Sequence, residues 1–281
     1  PIAAIEMYGK SKKRIRPLIM CEYSHAMGNS NGSLSDYWKV FDNTPGLQGG
    51  FIWEWKDHGL RQLLPNGKER FAYGGQFGDS PHDGNFVADG LMHADLTPHP
   101  AMREVAWVHR PVAAQLVGPK SAPSIELKNR QSFRDVSWLS ATYEIVIDGV
   151  VKRKGKLALT SLGAGKSKRI KAPSIRGLSG DIRLNIMWKT KRAELWCDRG
   201  HVVAWDQLVM KSARLKKIQV SQKKSATLNV EPQLSLFRAS IDNDGFKLLP
   251  NLAWVETTTL KRWQQQGIDE AIPQLVKHET K

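Results

Sequence analysis

The residue with the clearest chemical potential is Glu22, which ends the short apolar run Leu18-Ile19-Met20-Cys21. A continuous run of that kind suits a strand buried on both faces, as in a parallel sheet. A carboxylate delivered at such a strand's C-terminal end can act as nucleophile or as acid/base. Retaining glycoside hydrolysis needs two such groups about 5–5.5 Å apart. A nucleophilic carboxylate must stay ionised and so needs hydrogen-bond donors around it. Tyr23 and His25 are close enough in sequence to supply them. On composition alone, a lone Glu after an apolar run is more often a strand-end surface residue.

The elements around Glu22 give it a setting. Gly28-Asn29-Ser30-Asn31-Gly32 is a loop of turn residues. Ser33 or Ser35 then caps a helix covering Leu34, Tyr37, Trp38 and Phe41, ended by Asn43-Thr44-Pro45-Gly46. A second apolar run, Gly50 to Trp53, leads into Glu54-Trp55. Strand, helix and strand form the unit of an α/β fold, and in a TIM barrel the C-terminal strand ends hold the active site. Residues 1–16 read as polar and basic, and 59–100 as loop-rich. Ala101 to His109 reads as a short closing helix.

From about residue 112 the texture changes. Ile182, Leu184, Ile186 and Trp188 alternate with other residues, Tyr143–Ile147 runs into the hairpin signal Asp148-Gly149, and Val202–Met210 reads as a further strand. Short strands at this spacing indicate an immunoglobulin-like sandwich.

The chain has 281 residues, enough for about two domains. Its net charge of +15 is uneven: residues 1–110 are neutral, and residues 111–281 carry the whole excess. The densest basic runs are Lys152–Lys156, Lys166–Lys171 and Lys211–Lys224. No nucleic-acid motif or aromatic interleaving accompanies them, so a solvated surface or one meeting an acidic partner domain is expected, with no nucleic-acid partner. No apolar run reaches the about 18 residues of a membrane helix. Cys21 and Cys197 make no disulfide framework and no CxxC metal pattern, which fits a reducing, cytoplasmic setting. The chain opens on Pro1, without a signal-peptide pattern, as a piece of a longer product would.

Four blocks narrow the reading. Arg16 to Ser30, Leu47 to Trp55, Tyr73 to Asp79, and the run Asp89-Gly90-Leu91 through Ala94-Asp95 to Thr97-Pro98-His99-Pro100 strongly resemble the bacterial β-galactosidases of glycoside hydrolase family two. They fall in that family's order across about 95 residues. The resemblance implies hydrolysis of terminal β-D-galactose from β-galactosides such as lactose, by retaining double displacement. Glu22 would be the nucleophile, His25 would bond galactose hydroxyls, and Trp53 would form an apolar wall against the sugar. Trp55, on the other face, would pack within the barrel. Phe86, through its carbonyl, and Asp89 would hold a sodium ion. Well-known members carry Asn at the latter position, so ion identity is open there. His82 and Asp83 receive no role.

The resemblance also implies a multidomain α/β plus all-β fold. Residues 1–110 would be the C-terminal portion of a TIM (β/α)8 barrel and 111–210 an immunoglobulin-like β-sandwich. A basic linker over 211–226 would lead to the start of a large β-sandwich domain over 227–281. That last part rests on Arg238 to Asp244, with Ser240 in place of the usual Pro, and on Trp263. The acid/base glutamate, the Mg2+ ligands and about six of the eight barrel strands would lie outside the chain. The isolated chain is therefore expected to be inactive, and the full-length protein to be a homo-oligomer. The alternative is a non-catalytic β-sandwich protein binding carbohydrate or an acidic partner through its basic half.

Overall fold

The computed structural model describes residues 1–28, 30–119, 123–158, 161–213 and 258–268. The chain divides into two compact units, with the boundary between Glu104 and Val105.

The first unit opens with α1 (Ile2–Lys10), a helix the polar reading of residues 1–16 missed; Ile5 and Gly9 form its buried side. β1 (Leu18–Tyr23) and β2 (Leu47–Ile52) pair in parallel across α2 (Leu34–Asn43), the expected strand–helix–strand unit. The helix turns its aromatic face to β1. Tyr23 meets Tyr37 and Phe41 edge-on at 5.3 and 5.8 Å, and its hydroxyl accepts the Trp38 Nε1–H at 3.0 Å. Ser33 is the N-cap residue, but its side chain makes no cap bond. Instead the Ser35 N–H donates to the Glu104 carboxylate at 3.0 Å. An acidic group there satisfies an orphan donor and suits the positive end of the helix.

β1 is not buried on both faces. Ile19 is 51% exposed and Cys21 and Glu22 are open, because β1 and β2 form a two-stranded sheet and no described residue covers these side chains. Phe51 and Trp55 are 68% and 64% exposed on β2 and just beyond it, so Trp55 does not take up the packing expected of it here. The loop-rich stretch 59–100 contains the antiparallel hairpin β3 (Leu60–Leu63) and β4 (Glu69–Ala72). The closing helix is α3 (Met102–Val108).

The second unit is a sandwich. One sheet has the order β11-β10-β7-β8 and the other β5-β6-β9. The strands are β5 (Val112–Val117), β6 (Ser124–Asn129), β7 (Leu139–Ile147), β8 (Val150–Leu157), β9 (Ser167–Lys171), β10 (Ile182–Thr190) and β11 (Val202–Lys211). The alternation in β10 is the centre of the core: Ile182, Leu184, Ile186 and Trp188 are all 0% exposed, packed with Ile125, Leu139 and Ile145. Asp148 and Gly149 turn β7 into β8 with φ of 49° and 83°. Two positive φ values in a two-residue loop match the twist of a hairpin. Arg110 and Asp206 form a buried pair at 2.8 Å, and the other Asp206 oxygen accepts the Ala114 N–H, tying β11 to β5.

Two of the three basic runs now have a place. Lys152–Lys156 lies on β8 and Lys168–Lys171 on β9, each at the edge of its sheet. Charged side chains on an edge strand discourage pairing with another chain. Most of the third run, the linker and the Arg238–Asp244 segment lie outside the described residues. Within the range assigned to a last β-domain, the described part is the helix α4 (Thr259–Gln265), which contains Trp263 and is capped by Thr258, whose hydroxyl accepts the Lys261 N–H at 3.1 Å.

Candidate active site

Backbone hydrogen bonds assemble the site from three segments. The Trp53 N–H donates to the Tyr23 carbonyl at 3.2 Å, and the Ala26 N–H to the Trp53 carbonyl at 2.7 Å, so the loop after Glu22 is stitched to the end of β2. Residues 54–58 are then laced to 87–92. Glu54 N–H reaches the Asp89 carbonyl at 2.8 Å, Leu91 N–H the Glu54 carbonyl at 2.9 Å, and His58 N–H the Val87 carbonyl at 2.8 Å. Gly90 is where the two segments press closest. A Cβ there would sit 2.3 Å from the backbone of Lys56 and Asp57, so only glycine fits. The Asn31 amide, donating to the carbonyl and hydroxyl of Ser24 at 2.6 and 2.8 Å, pins the loop between Glu22 and α2.

This lacing brings four of the five sequence-predicted residues together. Asp89 is 2% exposed, and its Oδ2 accepts the Trp53 indole N–H at 3.2 Å and lies 3.7 Å from His25 Nε2. The His25 ring stacks on Phe86 with centroids 5.7 Å apart. Trp53 is anchored through its nitrogen while its ring remains 41% exposed, an open aromatic surface of the kind sugar C–H faces pack against. Glu22 stands exposed at the exit of β1, and no hydrogen bond or ion pair reaches its carboxylate among the described residues. The structure thus places it at the same strand ends as the cluster without a direct contact.

Sequence reasoning missed Glu54. Its carboxyl is held above the ordinary value of 4.5, first by burial, then by the adjacent Asp89 carboxyl and its charge, with His58 pulling it back down. His58 Nε2 lies 3.1 Å from Glu54 Oε2. Asp89 Oδ1 is buried and accepts no hydrogen bond among the described residues. A buried carboxylate oxygen left unsatisfied beside a second carboxyl group fits a hard cation, which takes oxygen ligands. Sequence reasoning also gave no role to Asp57, His93 and His99, which gather nearby.

Residues 3–114 match the family described as "Glycosyl hydrolases family 2, TIM barrel domain", and residues 125–211 match "Beta-galactosidase, domain 4". The chain belongs to glycosyl hydrolase family 2. It is 38% identical to "Beta-galactosidase 2" of Enterobacter cloacae over 68% of this chain and 19% of that protein. It is 32% identical to the "Beta-galactosidase" of Photobacterium profundum over 93% of this chain and 30% of that protein. The figures for the "Beta-galactosidase" of Arthrobacter sp. are 30%, 92% and 30%. The family 2 chain therefore spans less than a third of the length of these curated relatives. No described helix is long and apolar enough to cross a membrane.

Proposed function

We propose that this chain is the nucleophile-bearing part of a retaining β-galactosidase, acting on terminal β-D-galactose in substrates such as lactose. The observation that carries the reading is the clustering of His25, Trp53, Phe86 and Asp89 at the strand ends that also carry Glu22. In this reading residues 1–110 belong to the barrel, 111–210 to the sandwich, 211–226 to a linker and 227–281 to a further β-domain. The full-length protein works as a homo-oligomer in the cytoplasm.

The Glu22 carboxylate attacks the anomeric carbon. A carbon–oxygen bond forms to Glu22 as the glycosidic bond breaks. The leaving oxygen takes its proton from an acid/base carboxyl group contributed from outside this chain. Water then hydrolyses the galactosyl-enzyme with that group acting as base. His25 orients sugar hydroxyls, with Asp89 beside its ring, and Trp53 offers its face to the sugar while Asp89 holds its nitrogen. Asp89 and the Phe86 carbonyl would hold a sodium ion, and the ion would supply a positive point to which a sugar hydroxyl binds. The Mg2+ ligands lie mostly outside the chain.

The test pairs two proteins. The 281-residue chain alone should not cleave a chromogenic galactoside, because in this reading the acid/base group and most of the barrel come from outside it. A version extended to the relatives' length should cleave it and lose more than about 10^3-fold in kcat on Glu22→Gln. A normal rate from the short chain, or an extended Glu22→Gln variant that stays active, overturns the proposal.

A further inference from the structure

We propose that Asp57, His93 and His99 form a binding site for a borderline divalent cation of the zinc type. Nothing in the galactosidase reading uses these residues, and the inference does not depend on it. One carboxylate oxygen and two imidazole nitrogens lie within 4.8 Å of one another. Two imidazoles and one carboxylate make up a familiar zinc donor set with a fourth position left open.

The distances suit such an ion. Asp57 Oδ2 lies 3.0 Å from His99 Nε2 and 3.9 Å from His93 Nδ1. With metal–ligand bonds near 2.0–2.1 Å, ligand atoms on a tetrahedral ion lie about 3.3 Å apart. The two observed distances bracket that value, so small side-chain shifts complete the geometry. The buried partner is already oriented: Asp57 Oδ1 accepts the Gly90 N–H at 2.8 Å, which leaves Oδ2 to face the imidazoles. Metal-ligating groups are commonly held by such outer hydrogen bonds.

The backbone fixes the three ligands relative to one another. Asp57 N–H donates to the Met92 carbonyl at 2.9 Å, His93 N–H to the Thr97 carbonyl at 2.7 Å, and His99 N–H to the Leu91 carbonyl at 3.0 Å. Asp95 closes the turn between the two histidines, accepting from the Thr97 hydroxyl and N–H at 2.7 and 2.9 Å. A plain structural clamp would need only the Asp57–His99 hydrogen bond. The second imidazole, stacked 3.6 Å from the first and aimed at the same carboxylate oxygen, is what the clamp leaves unexplained. The His93 side chain is half exposed and borders a cavity of about 420 Å³ that Asp57, Phe71, Tyr73 and Val87 also line. Water or a small ligand can therefore reach the fourth position.

The probe is Zn2+ itself, titrated into the purified 281-residue chain against a chromophoric chelator, with Co2+ as a spectroscopic reporter of nitrogen ligation. One equivalent should bind, and His93→Asn should weaken binding by more than about 10-fold with an unchanged near-UV spectrum. His93→Cys, which restores a ligand, should retain it. His58→Asn and His82→Asn should leave it intact. Absence of stoichiometric Zn2+ binding, undiminished binding to His93→Asn, or loss in His58→Asn alone would overturn the site.

Discussion

In β10, Ile182, Leu184, Ile186 and Trp188 are wholly covered, whereas in the β1–β2 pair Ile19 and Phe51 stand 51% and 68% exposed. Both segments are comparably apolar, and what separates them is partners. β10 lies between β7 and β11, with a second sheet supplying Val112, Ile125 and Leu127 to the same core. Among the described elements β1 and β2 have each other and the helices α1 and α2, and a two-stranded sheet cannot cover both faces. The sandwich is thus built to stand by its own burial. The segment that carries Glu22 leaves one face open, the face that further barrel strands would close in the proposed reading.

The strongest way to break this comparison is to truncate matched aromatic residues. Trp188→Ala should cost about 3–5 kcal/mol in the sandwich's unfolding transition, measured in denaturant. Phe51→Ala in this chain should stay within about 0.5 kcal/mol. In a version extended to the relatives' length, the Phe51 cost should climb toward the core value. A Phe51 penalty already large in the short chain would show that its face is covered after all.

The buried pair sharpens the account of the sandwich. Burial pushes the Asp206 carboxyl above its usual value and the Arg110 guanidinium below its own, in each case against the partner's pull. Both partners therefore report that desolvation outweighs attraction. Arg110→Met should cost about 3 kcal/mol by stranding a buried carboxylate, while Arg110→Met with Asp206→Leu should recover most of it. A double variant no better than the single would contradict this.

The same pair sets a pH dependence. Asp206 is raised in the folded state, so its contribution is fully present below the unfolded value of 3.8 and is lost as pH rises through the folded value. Glu126, Asp135 and Glu194 are lowered, chiefly by hydrogen bonds from Gln115, the Ser137 hydroxyl and Arg134, and act in the opposite sense: their contributions are lost as pH falls. Chemical denaturation of wild type and Asp206→Asn across acid pH isolates the first effect. The difference should move against the wild type as pH rises, and a flat difference would refute the assignment. A smaller loss than that of Trp188→Ala or Arg110→Met is expected at the β7–β8 turn, where Gly149→Ala at φ 83° should cost about 1–2 kcal/mol.

How much was legible follows from range. The alternation of β10, the Asp148-Gly149 turn and the spacing of α2 are local signals, and each marks its element. The β3–β4 hairpin escaped because its strands have four residues each, with large side chains left exposed, so burial imposes no period. The buried-strand expectation for β1 failed for another reason: periodicity reports which residues want cover, not whether cover is present. His25, Trp53 and Asp89 were legible only through the family's wording. Glu54 and the Asp57–His93–His99 group depend on the register between residues 54–58 and 87–92, a pairing that no local pattern encodes.

The galactosidase account is tested most directly by covalent trapping. A protein extended to the relatives' length, treated with a 2-deoxy-2-fluoro galactoside and digested, should yield one modified peptide with the sugar on Glu22. Modification of a different carboxylate, or turnover without any trapped adduct, would contradict it.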